Sequence, residues 1–239
     1  MVEQILFLLV IFFANIIQAL TGFAGTVLAM PFSILLVGTE TSKAVLNLIA
    51  IPVSIYIAIR ERKSIKWKEG LIMFLLIGAG FGIGFGLEFL PLDASILLKV
   101  YGSIIIAVAL AFLFLIHPDT MKIPDWILYI LLVLGGILHK LFVSGGPLVV
   151  IYAMAKFKDK NEFRATLSVI WIILNSIMFG QHIYLGYFTS QVWILFAIGF
   201  GLTIGSIFIG KFLVDKVSLP VFMKITYVLL LISGATLLF

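Results

Sequence analysis

The chain has 239 residues, of which 63% are hydrophobic and 11% charged, with a mean hydropathy of +1.26. Soluble domains carry about 25% charged and about 45–50% apolar residues, and over half of an ordinary protein's surface is already apolar, so water cannot be this chain's solvent. Soluble enzymes, nucleic-acid-binding domains and disordered chains are excluded, and the net charge of +5 reads as orientation in a bilayer.

A spanning helix needs about 20 mostly apolar residues. Between charges and turn signals lie eight hydrophobic segments, at roughly 4–37, 42–59, 69–90, 95–116, 125–157, 162–184, 190–213 and 218–239. The predicted fold is therefore an all-α polytopic membrane protein, a single membrane domain over 1–239. The start, Met1-Val2-Glu3-Gln4, has no basic n-region, so the first segment is expected to remain as a membrane helix. Charges gather in the connectors, above all Arg60–Glu69 after segment two and Lys156–Arg164 after segment five.

Segments one and five are long and interrupted. Segment one breaks at Thr21-Gly22-Phe23-Ala24-Gly25, with Pro31 beyond, and segment five at Ser144-Gly145-Gly146-Pro147. Each is expected to leave two half-length helices, arranged as a re-entrant hairpin or as a broken straight span. A shift of 121 positions lays Lys43-Ala44-Val45-Leu46 on Arg164-Ala165-Thr166-Leu167, Gln18 on His139, Gly25 on Gly146, and Gly78, Gly80 and Gly84 on Gly199, Gly201 and Gly205. After a four-residue insertion, Leu98–Tyr101 meets Met223–Thr226 and Phe114 meets Phe239. The pattern predicts two four-segment repeats, 1–116 and 122–239, joined through His117-Pro118-Asp119.

The basic residues decide the repeats' relative direction. If all eight segments cross once, about six basic residues lie inside and eight outside; if segments one and five return to their own side, about twelve lie inside and two outside. The second arrangement is an inverted repeat. Such repeats with interrupted helices mark secondary transporters whose site lies near the midplane.

A half-helix starting inside the membrane aims unpaired N–H groups and about half a positive charge at the bilayer centre. Two such ends form an anion site. Ser144, Gly145 and Gly146, with Pro147 at the first helical position, have this character, and Thr21, Gly22 and Gly25 are their partners. Relief of helix kinks by Gly and Pro is the ligand-free alternative. Lys140, the one charge inside segment five, is expensive in lipid and marks a functional position unless it snorkels or deprotonates. His139 and its repeat mate Gln18 could orient an oxyanion or simply bond between helices.

Asn47, Ser54, Ser168 and Asn175 occupy matching positions on segments two and six, where they line a path or bond between helices. The run Gly78, Gly80, Gly82, Gly84, Gly86 lacks the strand a dinucleotide loop requires and reads as helix packing, echoed by Gly201 and Gly205. Glu88, close to Pro91, reads as an interfacial carboxylate. With no cysteine there is neither a disulfide framework nor a thiolate metal site, and no metal or cofactor is expected.

At its two breaks the sequence resembles the sulfite exporter TauE/SafE family. Gln18-Ala19-Leu20-Thr21-Gly22-Phe23-Ala24-Gly25, followed by Pro31, is similar to the family's first Thr-Gly-Phe-Gly element, with Ala24 interrupting the usual run. Ser144-Gly145-Gly146-Pro147-Leu148-Val149-Val150-Ile151-Tyr152 is similar to the second, while Lys140 matches no family motif. The resemblance implies movement of small anions such as sulfite, sulfoacetate or related organosulfur and carboxylate species, usually outward, across a plasma membrane. Export of a monoanion gains about 2.3 kcal/mol per 100 mV of inside-negative potential.

The expected partners are a small anion and lipid, with no nucleic acid. The expected substrate-binding residues are Gln18, Thr21, Gly22, Gly25, His139, Lys140, Ser144, Gly145 and Gly146. The competing readings are a non-transporting membrane subunit or scaffold, an intramembrane hydrolase using Ser144 and His139, and a cation carrier, which the scarcity of deep acids disfavours.

Overall fold

The computed structural model describes residues 2–21, 24–91, 93–115, 123–157, 159–214, 224, 227–228, 230–232 and 234–238. Its helices are α1 (Val2–Thr21), α2 (Ala24–Val37), α3 (Thr39–Arg60), α4 (Trp67–Leu87), α5 (Ala94–Leu110), α6 (Asp125–Phe142), α7 (Gly146–Lys156), α8 (Lys160–Tyr184) and α9 (Ser190–Val214). A π-helical stretch, Ala111–Leu115, extends α5. The described residues between 224 and 235 are helical where the eighth segment was expected. The connecting loop at 117–119, Lys122, Lys158, Lys216 and the Met223, Ile225, Thr226 and Phe239 matches lie outside the described residues.

Among the described residues, six helices are long and apolar enough to cross a membrane: α1, α3, α4, α6, α8 and α9. Their outer faces expose large apolar side chains such as Phe13, Ile59, Leu75, Ile198 and Phe208, whereas Asn15, Gln18, Asn47, Ser54, His139, Lys140, Asn175 and Thr203 are buried. A protein folded in water would have this distribution the other way round. Trp67 and Trp126 stand exposed at the starts of α4 and α6, where amphipathic rings favour the membrane–water boundary. The molecule is a multi-pass helical membrane protein.

Both predicted breaks are present, but the halves are unequal. Two half-length helices were expected in each segment; instead α1 has 20 residues and α6 has 18, about 30 and 27 Å at 1.5 Å per residue. Only α2 and α7, with 14 and 11 residues, are short. Each short helix folds back along its long partner. A Cβ added to Gly145 would lie 2.2 Å from the Gly135 carbonyl oxygen, and one added to Gly25 would lie 2.6 Å from Gln18 Cβ. At the far end of the second hairpin, Lys156 Nζ lies 2.8 Å from Asp125 Oδ1, returning the end of α7 to the start of α6.

The long helices pair in a regular scheme. Helices α3 and α8 are antiparallel: Arg164, early in α8, meets Glu61 just past the end of α3 at 3.1 Å, Asn47 donates to the Asn175 carbonyl at 3.0 Å, and Gln181, late in α8, shares Glu88 with Lys43, early in α3. On one side α4 runs parallel to α6, with Gly80 against Val133 and Gly84 against Ile137. On the other α1 runs parallel to α9, with Gly199 against Ile11 and Gly210 against Ala19. The basic connectors after α3 and α7 meet at one end, where Lys66 Nζ lies 2.7 Å from Glu162 Oε1 and the Lys66 N–H donates to Thr166 Oγ1 at 3.0 Å.

Close backbone approach at glycine is what brings these pairs together, since interhelical hydrogen bonds in a membrane contribute only about 0.6 kcal/mol each on average. The glycine stripe is more selective than expected. Gly80 and Gly84 pack against α6, but Gly78, Gly82 and Gly86 face open space. On α9 Gly199 and Gly210 are the close contacts, whereas Gly201 is open and Gly205 only touches Phe12 at 4.0 Å.

A Cβ at Gly80 would lie 1.9 Å from the Val133 carbonyl oxygen. Gly80→Ala is therefore expected to lower stability by about 1–3 kcal/mol. Gly78→Ala should leave it unchanged or raise it by up to about 1 kcal/mol through helix propensity. Thermal melting of both variants in one detergent checks the contrast.

Candidate functional site

The two breaks meet inside the helix bundle. Ser144 Oγ, from the second, donates to the carbonyl of Thr26, just past the first, at 3.3 Å. Beside this contact lies a cavity of about 10 Å³ lined by Gln18, Thr26, Ala50, Ser54, His139, Val143, Gly145, Gly146, Trp171 and Asn175. That is room for about one water molecule, so the site is closed around its own side chains.

Six of the lining residues form three pairs at the repeat spacing: 18 with 139, 50 with 171, and 54 with 175, each 121 apart. That spacing is the one by which the sequence predicts a repeat. Their chemistry differs within each pair. Gln18 accepts the Gly25 N–H at 2.7 Å through Oε1 and so occupies a donor at the start of α2. His139 Nε2 lies 3.1 Å from Asn175 Oδ1, and its ring stacks on Trp171 with centroids 4.4 Å apart.

The start of α7 is different. Gly145 is its N-cap, Pro147 is in its first turn, and among the described residues no side chain caps it; Gly145 and Gly146 line the cavity. Pro removes one orphan donor, and those remaining carry the positive end of the helix dipole. The chain enters this turn through Val143, whose φ of 56° is a left-handed conformation that a β-branched residue adopts only under constraint. Such strain concentrates at functional sites.

Of the residues expected from sequence, Gln18, His139, Gly145 and Gly146 line the cavity. Gly25 is bound to Gln18, and Ser144 bridges to Thr26 instead of capping α7. The backbone of Thr21 ends α1, and Gly22 lies outside the described residues. Lys140 is not in the cavity lining: its ammonium bonds the Glu88 carboxylate and lies 5.2 Å from the Phe85 ring centroid. Ser144 and His139 are held by different partners, Thr26 and Asn175, so the serine hydroxyl is not presented to the imidazole as a nucleophile would be.

Sequence reasoning missed Trp171, Ala50 and Thr26. Two signals were available. Trp171 is a large aromatic one position from the spacing of Ile170 and Leu174, and Pro52 sits mid-helix between the lining residues Ala50 and Ser54. Asn175 and Ser54 were recognised as a matched pair, and both line the cavity; Ser168 instead donates to the Arg164 carbonyl within its own helix.

The profile of the sulfite exporter TauE/SafE family matches residues 7–237 of this chain, covering both breaks and every cavity residue. No curated protein and no solved structure matches it significantly. A multi-pass helical fold and a match over nearly the full length agree on one assignment: the chain belongs to the sulfite exporter TauE/SafE family of membrane transporters.

Proposed function

We propose that this protein carries small oxyanions, such as sulfite, sulfoacetate or related organosulfur and carboxylate anions, outward across the plasma membrane through the cavity between the two breaks. One observation carries the reading: the N-terminus of α7, capped by no described side chain, borders a cavity whose lining falls in pairs at the repeat spacing. The depth of this terminus supports a midplane site. Gly145 abuts Gly135, and Gly135 lies ten residues along α6 from Asp125, about 15 Å, half of a hydrocarbon core of about 30 Å.

Three roles follow. The amides at the start of α7 bind anion oxygens. His139 and Asn175 donate to other oxygens after exchanging their mutual bond, and Trp171 holds the imidazole in plane. Gln18, whose Oε1 now occupies the Gly25 N–H, releases that amide when an anion arrives. Because the cavity holds only about one water, anion entry requires the repeats to rock apart, the motion expected of alternating access. No step in this cycle is catalytic.

The inverted arrangement of repeats 1–116 and 122–239 draws support from α3 and α8. They correspond under the 121 shift and run antiparallel, while α1 with α9 and α6 with α4 exchange roles. A long helix followed by a short return also gives the side assignments of a re-entrant hairpin, so both basic connectors fall on the cytoplasmic side. The meeting of Lys66 with Glu162 agrees with this. Outward movement needs no coupled ion, since an inside-negative potential drives a monoanion out.

In proteoliposomes, His139→Ala and Asn175→Ala are each expected to lower sulfite flux at least about tenfold, the loss of one hydrogen bond to a charged group, while the purified variants stay folded and monodisperse. Flux equal to the unsubstituted protein in both would sink the site. Single cysteines introduced at Ser64 and Lys156 should react with an impermeant thiol reagent only from the cytoplasmic face, and one at Ser95 only from outside. External labelling at position 156 would exclude the inverted arrangement.

A further inference from the structure

At the end of the bundle opposite the basic connectors, four helices converge on one carboxylate. Glu88, at the end of α4, accepts from Lys140 of α6 and, at 2.9 Å, from Gln181 of α8, and lies 3.5 Å from Lys43 of α3. Lys43 and Glu61 bracket α3 and are 18 residues apart, about 27 Å, so this cluster and the Glu61–Arg164 pair occupy opposite ends of a span. In the Glu88 cluster two ammonium groups lie within 4 Å of a single carboxylate, with Glu40 acting on Lys43 from farther away.

Exposure is graded across the cluster: the Glu88 side chain is 26% accessible, Lys43 13% and Lys140 1%. The carboxylate therefore covers the lysines. Beneath it, Lys140 follows His139 directly on α6, and Phe81 lies between them, 5.9 Å from the Lys140 ammonium and 6.4 Å from the His139 ring by centroid. Next to Gln181, His182 is buried and its Nδ1 has no hydrogen-bond partner. A buried lysine is costly without a counter-charge, and a carboxylate with the shape and charge of a small oxyanion supplies it here.

We propose that Lys43, Lys140 and Gln181 form a second oxyanion-binding site, a vestibule at the outer end of the path, which Glu88 occupies as a tethered stand-in when the path is closed. An arriving oxyanion takes the two ammonium groups and the Gln181 amide, and Glu88 swings to solvent. The lysines remain neutralised throughout the exchange, so neither is left buried and bare. The proposal takes its direction from the transport reading, but the binding site itself does not depend on the central cavity being the translocation site.

Sulfate, titrated by calorimetry into the purified protein, is the probe. Glu88→Gln is expected to raise sulfate affinity at least tenfold, and adding Lys140→Gln to it should remove the gain. An affinity within twofold of the unsubstituted protein, or a gain that survives Lys140→Gln, overturns the proposal. If Glu88→Gln does not fold, Glu88→Asp, with a shorter reach, is expected to give a smaller gain, and no gain overturns it equally. Ala50→Cys, in a chain with no other cysteine, reports closure: Glu88→Gln should speed its labelling from the Glu88 side at least tenfold, and an unchanged rate means that Glu88 closes nothing. Neither readout needs flux. Absent flux with both results intact counts against the central site alone.

Discussion

Backbone polar groups cut loose inside a membrane have no water to pair with, and each one left unsatisfied costs several kcal/mol. A helix can therefore break at mid-depth only where protein or a polar cavity receives the freed groups. Both breaks of this chain obey that constraint by meeting each other. The Ser144 hydroxyl takes the Thr26 carbonyl, the Gln18 amide oxygen takes the Gly25 amide, and the Val143 amide returns to the His139 carbonyl at 2.7 Å.

The remaining architecture holds the breaks in register. Backbone-to-backbone approaches at Gly80, Gly136 and Gly145 leave no space for a methyl group, and they lock α4 and α7 onto α6. The antiparallel pair α3 and α8 brings Ser54 and Asn175 to the same cavity, and closes its two ends with different ion pairs. The ion pairs of this helix pair lie at its two ends: Arg164 with Glu61 at one, Lys43 and Lys140 with Glu88 at the other. On the proposed route an anion would meet charge at the ends and helix dipoles between them.

Lys140 illustrates how a local inference can miss its geometry. A lysine within an apolar segment stands out in sequence, and here its side chain is only 1% exposed. Hydropathy placed it near the break because it lies four residues before Ser144 in sequence. In space the last turn of α6 continues past the level where α7 begins, since the chain doubles back to set Gly145 against Gly135. The lysine is carried beyond the cavity to Glu88, while His139, one residue earlier and about 100° around the helix, faces inward.

By itself the sequence determined the solvent, the helical character and the positions of the two breaks, because apolar composition, Gly–Pro punctuation and charge distribution are properties of the chain read in one dimension. It also singled out Gln18, His139, Gly145 and Gly146, which line one cavity, since polar residues and helix-start signals stand out against lipid-facing neighbours. Tertiary structure alone decided the unequal hairpins, the stacking of Trp171 on His139, the division of the glycine stripe into packed and open faces, and the capture of Lys140 by Glu88. Each of these depends on which elements lie side by side, and the sequence carries no direct record of contact between residues 52 or 118 positions apart.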